Sequence, residues 1–336
     1  MIEIENYWIY ENKIIFKPNF NQSIDTYKNI ICNYKELIFY NHYDLNILIE
    51  TKNIYKDIIC NYKEPIISKY YDLNFLIETN NNYDNKYIND FIASKFNQPI
   101  NLDSNRQLTH LTFGWDFNQP INLDSNLQLT HLTFGNDFNQ PINLDSNLQL
   151  THLTFGSNFD HPINLDSNLQ LTHLTFGSNF DHPINLNSNL QLTHLTFGNY
   201  FDHPINFDSN LQLTHLTFGN YFNQPIELPN TIKTLKLNCN YQYLIDNLPN
   251  SIEELIFSYD FNLELNNLPN SIKKIILLND KYDKNLNSLP ESIKYIQLPI
   301  NYQLQINKFP INLKTIECSK EYSFINYFFK YKVIQY

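Results

Sequence analysis

Between Phe96 and Tyr221 a 21-residue unit reading FNQPINLDSNLQLTHLTFGND recurs six times in tandem, starting at Phe96, Phe117, Phe138, Phe159, Phe180 and Phe201. Phe222 opens a seventh, altered copy. A short, fixed period of this kind is the mark of a solenoid, in which each unit is one coil that covers its neighbour. One unit carries about seven apolar positions, in the second copy Phe117, Ile121, Leu123, Leu127, Leu129, Leu132 and Phe134. Burying so few side chains cannot offset the entropy of ordering the coil's own backbone. Stability must therefore come from stacking, and the array is expected to be cooperative along its length.

Within the unit, Leu108, Leu111 and Phe113 with Asp116 fit LxxLxLxxN/D, the spacing of a leucine-rich repeat, with LxL as a short parallel strand. The last polar slot continues as Asp137, Asn158, Asn179, Asn240, Asp260 and Asn301, broken by Tyr200 and Tyr221. Side chains there are expected to take backbone donors at the bend after each strand. Twelve of the fifteen prolines fall in two repeat slots, after FNQ or FDH in the earlier copies and in LP later, so the return path should be extended and not helical. All six glycines occupy one slot just after the strand, from Gly114 to Gly219. A positive φ is one reason, but Pro299 in the equivalent later position cannot adopt it, so close backbone packing is an equal candidate.

The phrases LTFGNDFNQPI and LPNSIEELIFSYDF resemble the FNIP repeat of social amoebae and giant amoebal viruses. The likeness is closest from Phe96 to Ile226 and extends to about Tyr322. It implies a leucine-rich-repeat-like solenoid that binds proteins. Some members carry an N-terminal F-box that recruits a ubiquitin ligase; the first residues here, MIEIENYWIYENKIIF, lack its LP-initiated helical pattern.

The expected fold is thus a single curved, right-handed β-solenoid, leucine-rich-repeat-like, with parallel strands on the concave face and extended return segments. About fifteen coils at about 4.8 Å each give about 70 Å along the ladder. Residues 1–95 form an N-terminal cap and divergent longer coils, with ICNYKE and YDLN repeating 28 residues apart (Cys32 with Cys60, Asp44 with Asp72). Residues 96–221 are the six near-identical copies, and 222–336 are shorter LP-type coils closed by an aromatic cap, FINYFFKYKVIQY.

The net charge is −11; the six copies hold ten Asp and one Arg, Arg106, which is −9, leaving −2 elsewhere. Such an acidic surface argues against phosphate-backbone binding. Four cysteines without CxxC spacing read as free thiols in a reducing compartment, and neither a signal peptide nor an apolar run of membrane-spanning length is visible, so a cytoplasmic, monomeric protein is expected.

Three rows carry candidate chemistry. The first is His110, His131, His152, His173, His194 and His215, each directly before an inward leucine and so pointing outward beside Thr112, Thr133, Thr154, Thr175, Thr196 and Thr217. This concave His/Thr face is the expected protein-binding surface, with pH sensing or metal binding as alternatives and an inert, duplicated polar ladder as the plain one. The second is Asp160 with His161, Asp181 with His182, and Asp202 with His203, where FDHP replaces FNQP, a secondary candidate for a metal ion. The third is Asp103, Asp124, Asp145, Asp166 and Asp208, which a divalent cation would stabilise. No phosphate loop, HExxH or GxSxG occurs, and a chain of copies lacks the singular constellation that catalysis needs, so neither an enzyme nor a cofactor is expected. A non-enzymatic binding scaffold is the leading expectation; a structural or decoy repeat, for instance of a viral particle, is the alternative.

Overall fold

The computed structural model describes residues 2–4, 7–10, 12–17, 20–21, 27–39, 96–258, 260–325 and 330–335. One 16-stranded sheet runs through them in strict chain order. β1 (Ile2–Ile4), β2 (Tyr7–Tyr10) and β3 (Lys13–Phe16) pair antiparallel at the N-terminal end. From β3 onward every pairing is parallel: β4 (Glu36–Phe39), then β5 to β9 from His110–Thr112 to His194–Thr196, β10 (His215–Phe218), β11 (Thr234–Leu237), β12 (Glu254–Phe257), β13 (Lys274–Leu277), β14 (Tyr295–Gln297), β15 (Thr315–Cys318) and β16 (Lys332–Gln335). The chain is a β-solenoid. The closing aromatic segment thus contributes a strand, β16, to the parallel ladder.

Register is in phase with the repeat, so like residues lie opposite like: His110 faces His131, Leu111 faces Leu132 and Thr112 faces Thr133. Along each strand the leucine is buried and the flanking His and Thr are half-buried, the alternation a pleated strand imposes. Behind the sheet two phenylalanine rows stack. Phe113 to Phe218 follow each other at 5.6–5.9 Å, and Phe96 to Phe222 at 5.8–6.2 Å. The rows interlock at 3.8–4.0 Å within a coil. On the other side of the sheet the imidazoles repeat at 4.1–4.2 Å. Since equivalent rings in equivalent rotamers report the local coil spacing, each coil is a wedge, narrow at the histidines and wide at the phenylalanines. The strands therefore line the concave side.

The return path is built from two successive β-turns. In the second copy Asn126 N–H donates to Leu123 O and Leu129 N–H to Asn126 O, which puts Asp124–Ser125 and Leu127–Gln128 at the two corners. The clean coils contain no helix; the described exceptions elsewhere are short, α1 (Lys28–Ile31) and α2 (Gln242–Asp246). Leu127 does not belong to the core as its hydrophobicity suggests. It is 53 % exposed, and Leu148, Leu169, Leu190 and Leu211 are exposed likewise, because a corner residue has no interior to enter.

In the first coil three residues separate strand from Phe20, and in the clean coils Gly114–Asp116 do the same. Between Phe39 and Phe96 stand residues 40–95, yet these two rings stack at 4.4 Å and β4 pairs directly with β5. The second ICNYKE copy, with Cys60 and Asp72, lies outside the described residues, as do Asp44 and its neighbours. Fourteen parallel strands are therefore counted among the described residues, in place of about fifteen coils.

Packing is the reason for the glycines. A Cβ on Gly156 would lie 2.0 Å from the Gly135 carbonyl oxygen, and the same approach recurs from Gly135 to Gly219, with no positive φ at these positions. In three of the later coils the residue in this slot stays in the strand ladder, as where Ser258 N–H donates to Leu237 O, and a side chain is accommodated. Gly156→Ala should therefore force two coils apart and lower unfolding free energy by about 1–3 kcal/mol, whereas Ser258→Ala in the same slot stays near neutral; urea titration of both variants checks this.

Candidate functional site

The histidine row is fixed by the residue before it. Thr130 Oγ1 lies 3.0 Å from Thr109 O and 2.9 Å from His131 Nδ1, and this arrangement repeats through Thr151–His152, Thr172–His173, Thr193–His194 and Thr214–His215. A hydroxyl has one proton. Donated to the carbonyl of the preceding coil, it leaves Oγ1 as an acceptor, so the neutral imidazole carries its proton on Nδ1 and donates it to Oγ1. The tautomer follows from the network, and Nε2 is left as a bare acceptor. Among the described residues no hydrogen bond reaches Nε2 of His131, His152, His173 or His194.

The rings are almost parallel, 10–13° apart, so their in-plane Nε2 lone pairs run side by side and do not converge. Two neighbours cannot both bind one ion at about 2.0–2.1 Å without turning out of the stack. Burial, and then the adjacent imidazoles, lower the proton affinity: His131 and His194 fall to about 4, and His152 and His173 are held below the ordinary value by the same causes. Burial lowers His110 too, opposed by the nearby Glu36 carboxylate. At neutral pH His131, His152, His173 and His194 thus form an uncharged row of acceptors. The hydroxyls of Thr112 to Thr217 lie in the outward strand slot beside it, two residues on.

Both ends of the row change character. Upstream, Lys13 meets Glu36 at 2.8 Å in the strand position facing His110. Downstream the histidine slot becomes Thr234, Glu254, Lys274, Tyr295 and Thr315, with Lys274 paired to Glu254 at 2.8 Å.

The FDHP residues form a different ladder at the second residue of each unit. In FNQP coils Asn97 Oδ1 accepts Asn118 N–H and Gln119 Nε2–H from the next coil. The Asp copies keep the first contact: Asp160 accepts Asp181 N–H at 3.3 Å, Asp181 accepts Asp202 N–H at 3.2 Å and Asp202 accepts Asn223 N–H at 2.8 Å. Histidine takes over the role of glutamine. His182 Nε2 lies 3.0 Å from Asp160 and His203 Nε2 3.1 Å from Asp181. The His182 contact is one of proximity, since its Nε2 has no well-directed acceptor. His161, the first of the three, reaches the backbone carbonyl of Asn139, as His203 Nε2 also reaches that of Asp181 at 2.9 Å. Asn–Gln and Asp–His are therefore two chemistries for one inter-coil lattice. Among the described residues no three His, Cys, Asp or Glu side chains gather around a common point.

Comparison with known proteins now bears on this geometry. The FNIP repeat family matches residues 212–240, 222–260, 240–280 and 259–299. Residues 212–299 carry the FNIP repeat. The match starts inside the sixth copy and lies over the LP coils, downstream of the region where the resemblance reads closest by eye. Among solved structures, an internalin, InlF of Listeria monocytogenes, is 14 % identical over 96 % of this chain and 86 % of its own, with a TM-score of 0.53. CroV588, a giant-virus protein described as a novel circular leucine-rich-repeat structure, is 24 % identical over 95 % of this chain, which spans 58 % of it, with a TM-score of 0.43. No curated protein matches the chain in sequence. No described helix is long and apolar enough to cross a membrane.

The clean coil also holds an element that sequence reasoning missed, a column of fully buried asparagines from Asn105 to Asn210. Asn147 Nδ2 donates to Leu123 O and Asn126 O of the preceding coil, both at 3.1 Å, and its Oδ1 has no partner. This is the asparagine ladder of the clean block. The LxxN slot does less than expected there: Asn158 bonds to the Asp137 side chain and Asn179 to that of Asn158, at the surface. Only later does the slot serve backbone, as where Asn262 N–H donates to Asn240 Oδ1. Tyr200 and Tyr221 replace it with an exposed ring stack at 5.1 Å. The Asp103 to Asp208 row sits on exposed Asx turns, with Asp124 N–H donating to Asn122 Oδ1 at 2.8 Å.

A depressed histidine pKa means that the unfolded chain takes up protons first. Stability contributed by the ladder is complete above about pH 6.5 and is lost as pH falls toward the folded value, about 4 at His131 and His194. The wild type should lose several degrees of melting temperature between pH 7 and pH 4.5, and the variant His152→Asn/His173→Asn, whose amides still donate to Oγ1, should lose less over the same interval. In the second ladder Asp181→Asn alone should destabilise by about 0.3–1 kcal/mol, and adding His203→Gln, which restores the FNQP lattice, should recover most of it in a denaturant double-mutant cycle.

Proposed function

We propose that this protein is a non-enzymatic protein-binding scaffold whose concave face, His110 to His215 with Thr112 to Thr217, takes a partner through hydrogen bonds that the partner donates. The observation that carries the reading is the row of solvent-facing Nε2 acceptors, all in one tautomer and in register. A face that presents acceptors, is uncharged at neutral pH from His131 to His194 and sits in a block of charge −9 suits a donor-rich, cationic surface and not a phosphate backbone. The ends, Lys13–Glu36 and Glu254–Lys274, add unlike chemistry that makes the choice of partner selective. The protein acts as a monomer in the cytoplasm, that of the host if it is viral, without nucleic acid, membrane or cofactor.

Leucine-rich-repeat solenoids as a class supply extended concave binding surfaces, which supports this reading at the level of fold. The described cleft of about 680 Å³, at the C-terminal end between Phe309, Pro310, Ile311 and Tyr331, contains one carboxylate and one amine, Glu291 and Lys330. Glu291 is already committed to Ile311 N–H and Lys308, so it is poorly placed as a catalytic group.

The test is affinity capture of the tagged full chain from the cells that express it, read by mass spectrometry. A partner retained by the wild type and lost from His131→Ala/His152→Ala/His173→Ala, with circular dichroism unchanged, is the expected result. Retention that ignores the triple substitution, or capture of nothing specific, defeats the proposal.

A further inference from the structure

The five leucines at the turn corners, Leu127, Leu148, Leu169, Leu190 and Leu211, are 52–66 % exposed and belong neither to the core nor to the concave face. Each is the first corner residue of the turn leading into a strand, so identical coils hold them in one continuous row. The row is bounded. Arg106 occupies the slot before it and Asn230 the slot after it. Single exposed leucines need no explanation, but a contiguous apolar strip on an otherwise polar, acidic block does.

The neighbouring corner of the same coils supplies the second observation. Three residues before each leucine the preceding turn exposes Asp124, Asp145, Asp166 and Asp208, with Asn187 as the one neutral member. An apolar strip is thus edged on one side by a line of carboxylates, in a block whose lone cation is Arg106. A second copy of this chain would bring carboxylates against carboxylates, and an anionic lipid surface would repel them. Charge complementarity selects a partner with an apolar stripe edged by lysine or arginine.

Spacing selects its shape. The coils repeat at 4.1 Å at their inner edge and 6.2 Å at their outer edge, an interval that contains the helical pitch of about 5.4 Å. Side chains on one face of a strand recur only every 6.6–6.8 Å or about that. We infer that the leucine row is a second docking surface, separate from the concave face, for a basic amphipathic α-helix of a partner protein, laid along the solenoid axis. Four coil steps at about 5 Å take about 14 helical residues.

The proposal does not depend on the histidine face, and the experiment keeps the two apart. Two synthetic 18-residue helical peptides share a leucine stripe and differ in its edge, lysine in one and glutamate in the other; binding to the full chain is read by fluorescence anisotropy at physiological salt. The lysine peptide should bind at least tenfold more tightly than the glutamate peptide. Leu148→Ser/Leu169→Ser and Asp145→Asn/Asp166→Asn should each weaken it at least tenfold and fivefold respectively, while His152→Ala leaves it unchanged. These side chains lie at the surface, and an unchanged thermal melt verifies that the variants fold. Binding indifferent to the leucines, to the peptide edge or sensitive to His152 overturns the inference. So does concentration-dependent self-association of the wild type that Leu148→Ser/Leu169→Ser abolishes, or flotation of the wild type with phosphatidylglycerol vesicles.

Discussion

Everything in this molecule rests on one constraint: each coil must superpose on the one before it by nearly the same small displacement. A polar atom then finds its partner one coil back, at the same position in the unit, and the same bond is made again at the next step. Thr Oγ1 to Thr O, Asn Nδ2 to the two carbonyls beneath it, and Asn97 or Asp160 to the amide of the following coil are all bonds of this type. A backbone carbonyl 2.0 Å from where a Cβ of Gly156 would stand shows how little slack the displacement allows. Within the clean block glycine is the residue that fits there.

The same constraint explains why substitutions travel together. Asparagine and aspartate can both accept an amide proton, but the side chain delivered from the next coil must then match. The paired change of FNQP to FDHP sets an imidazole in place of the carboxamide beside the altered acceptor, His203 Nε2 standing 3.1 Å from the Asp181 carboxylate. Later coils solve the buried-asparagine slot differently. Proline stands there, as Pro229 does, and Ile232 N–H still closes the turn on its carbonyl just as Leu129 N–H closes on Asn126 O. With no N–H of its own, proline gives up the bond that Asn126 makes to Leu123.

Much of this was legible in the residues. The period gave the solenoid, LxL gave the parallel strand, and the position of histidine before an inward leucine gave its outward direction, because pleating alternates sides irrespective of what surrounds the strand. What was misread or missed lies in the turns. Leu127 looks like core by its hydrophobicity, yet its place at a turn corner decides its exposure. Asn126 drew no reading at all, yet it closes one turn and opens the next, so its side chain is driven inward. Neither placement shows in composition or in a period-two pattern, which describe strands. The glycine slot was open between two physical accounts until the distance between coils was known.

The wedge shape of the coil has a consequence for how such a chain changes over generations. With 4.2 Å at the imidazoles and 6.1 Å at the outer phenylalanines, each unit adds a fixed increment of arc as well as of length. Gain or loss of a whole 21-residue unit by unequal crossing-over therefore slides the two divergent ends around a circle of constant radius and leaves the local surface untouched. The separation and relative orientation of whatever the ends hold can be reset in discrete steps, as on a ratchet, with no new side chain having to be selected.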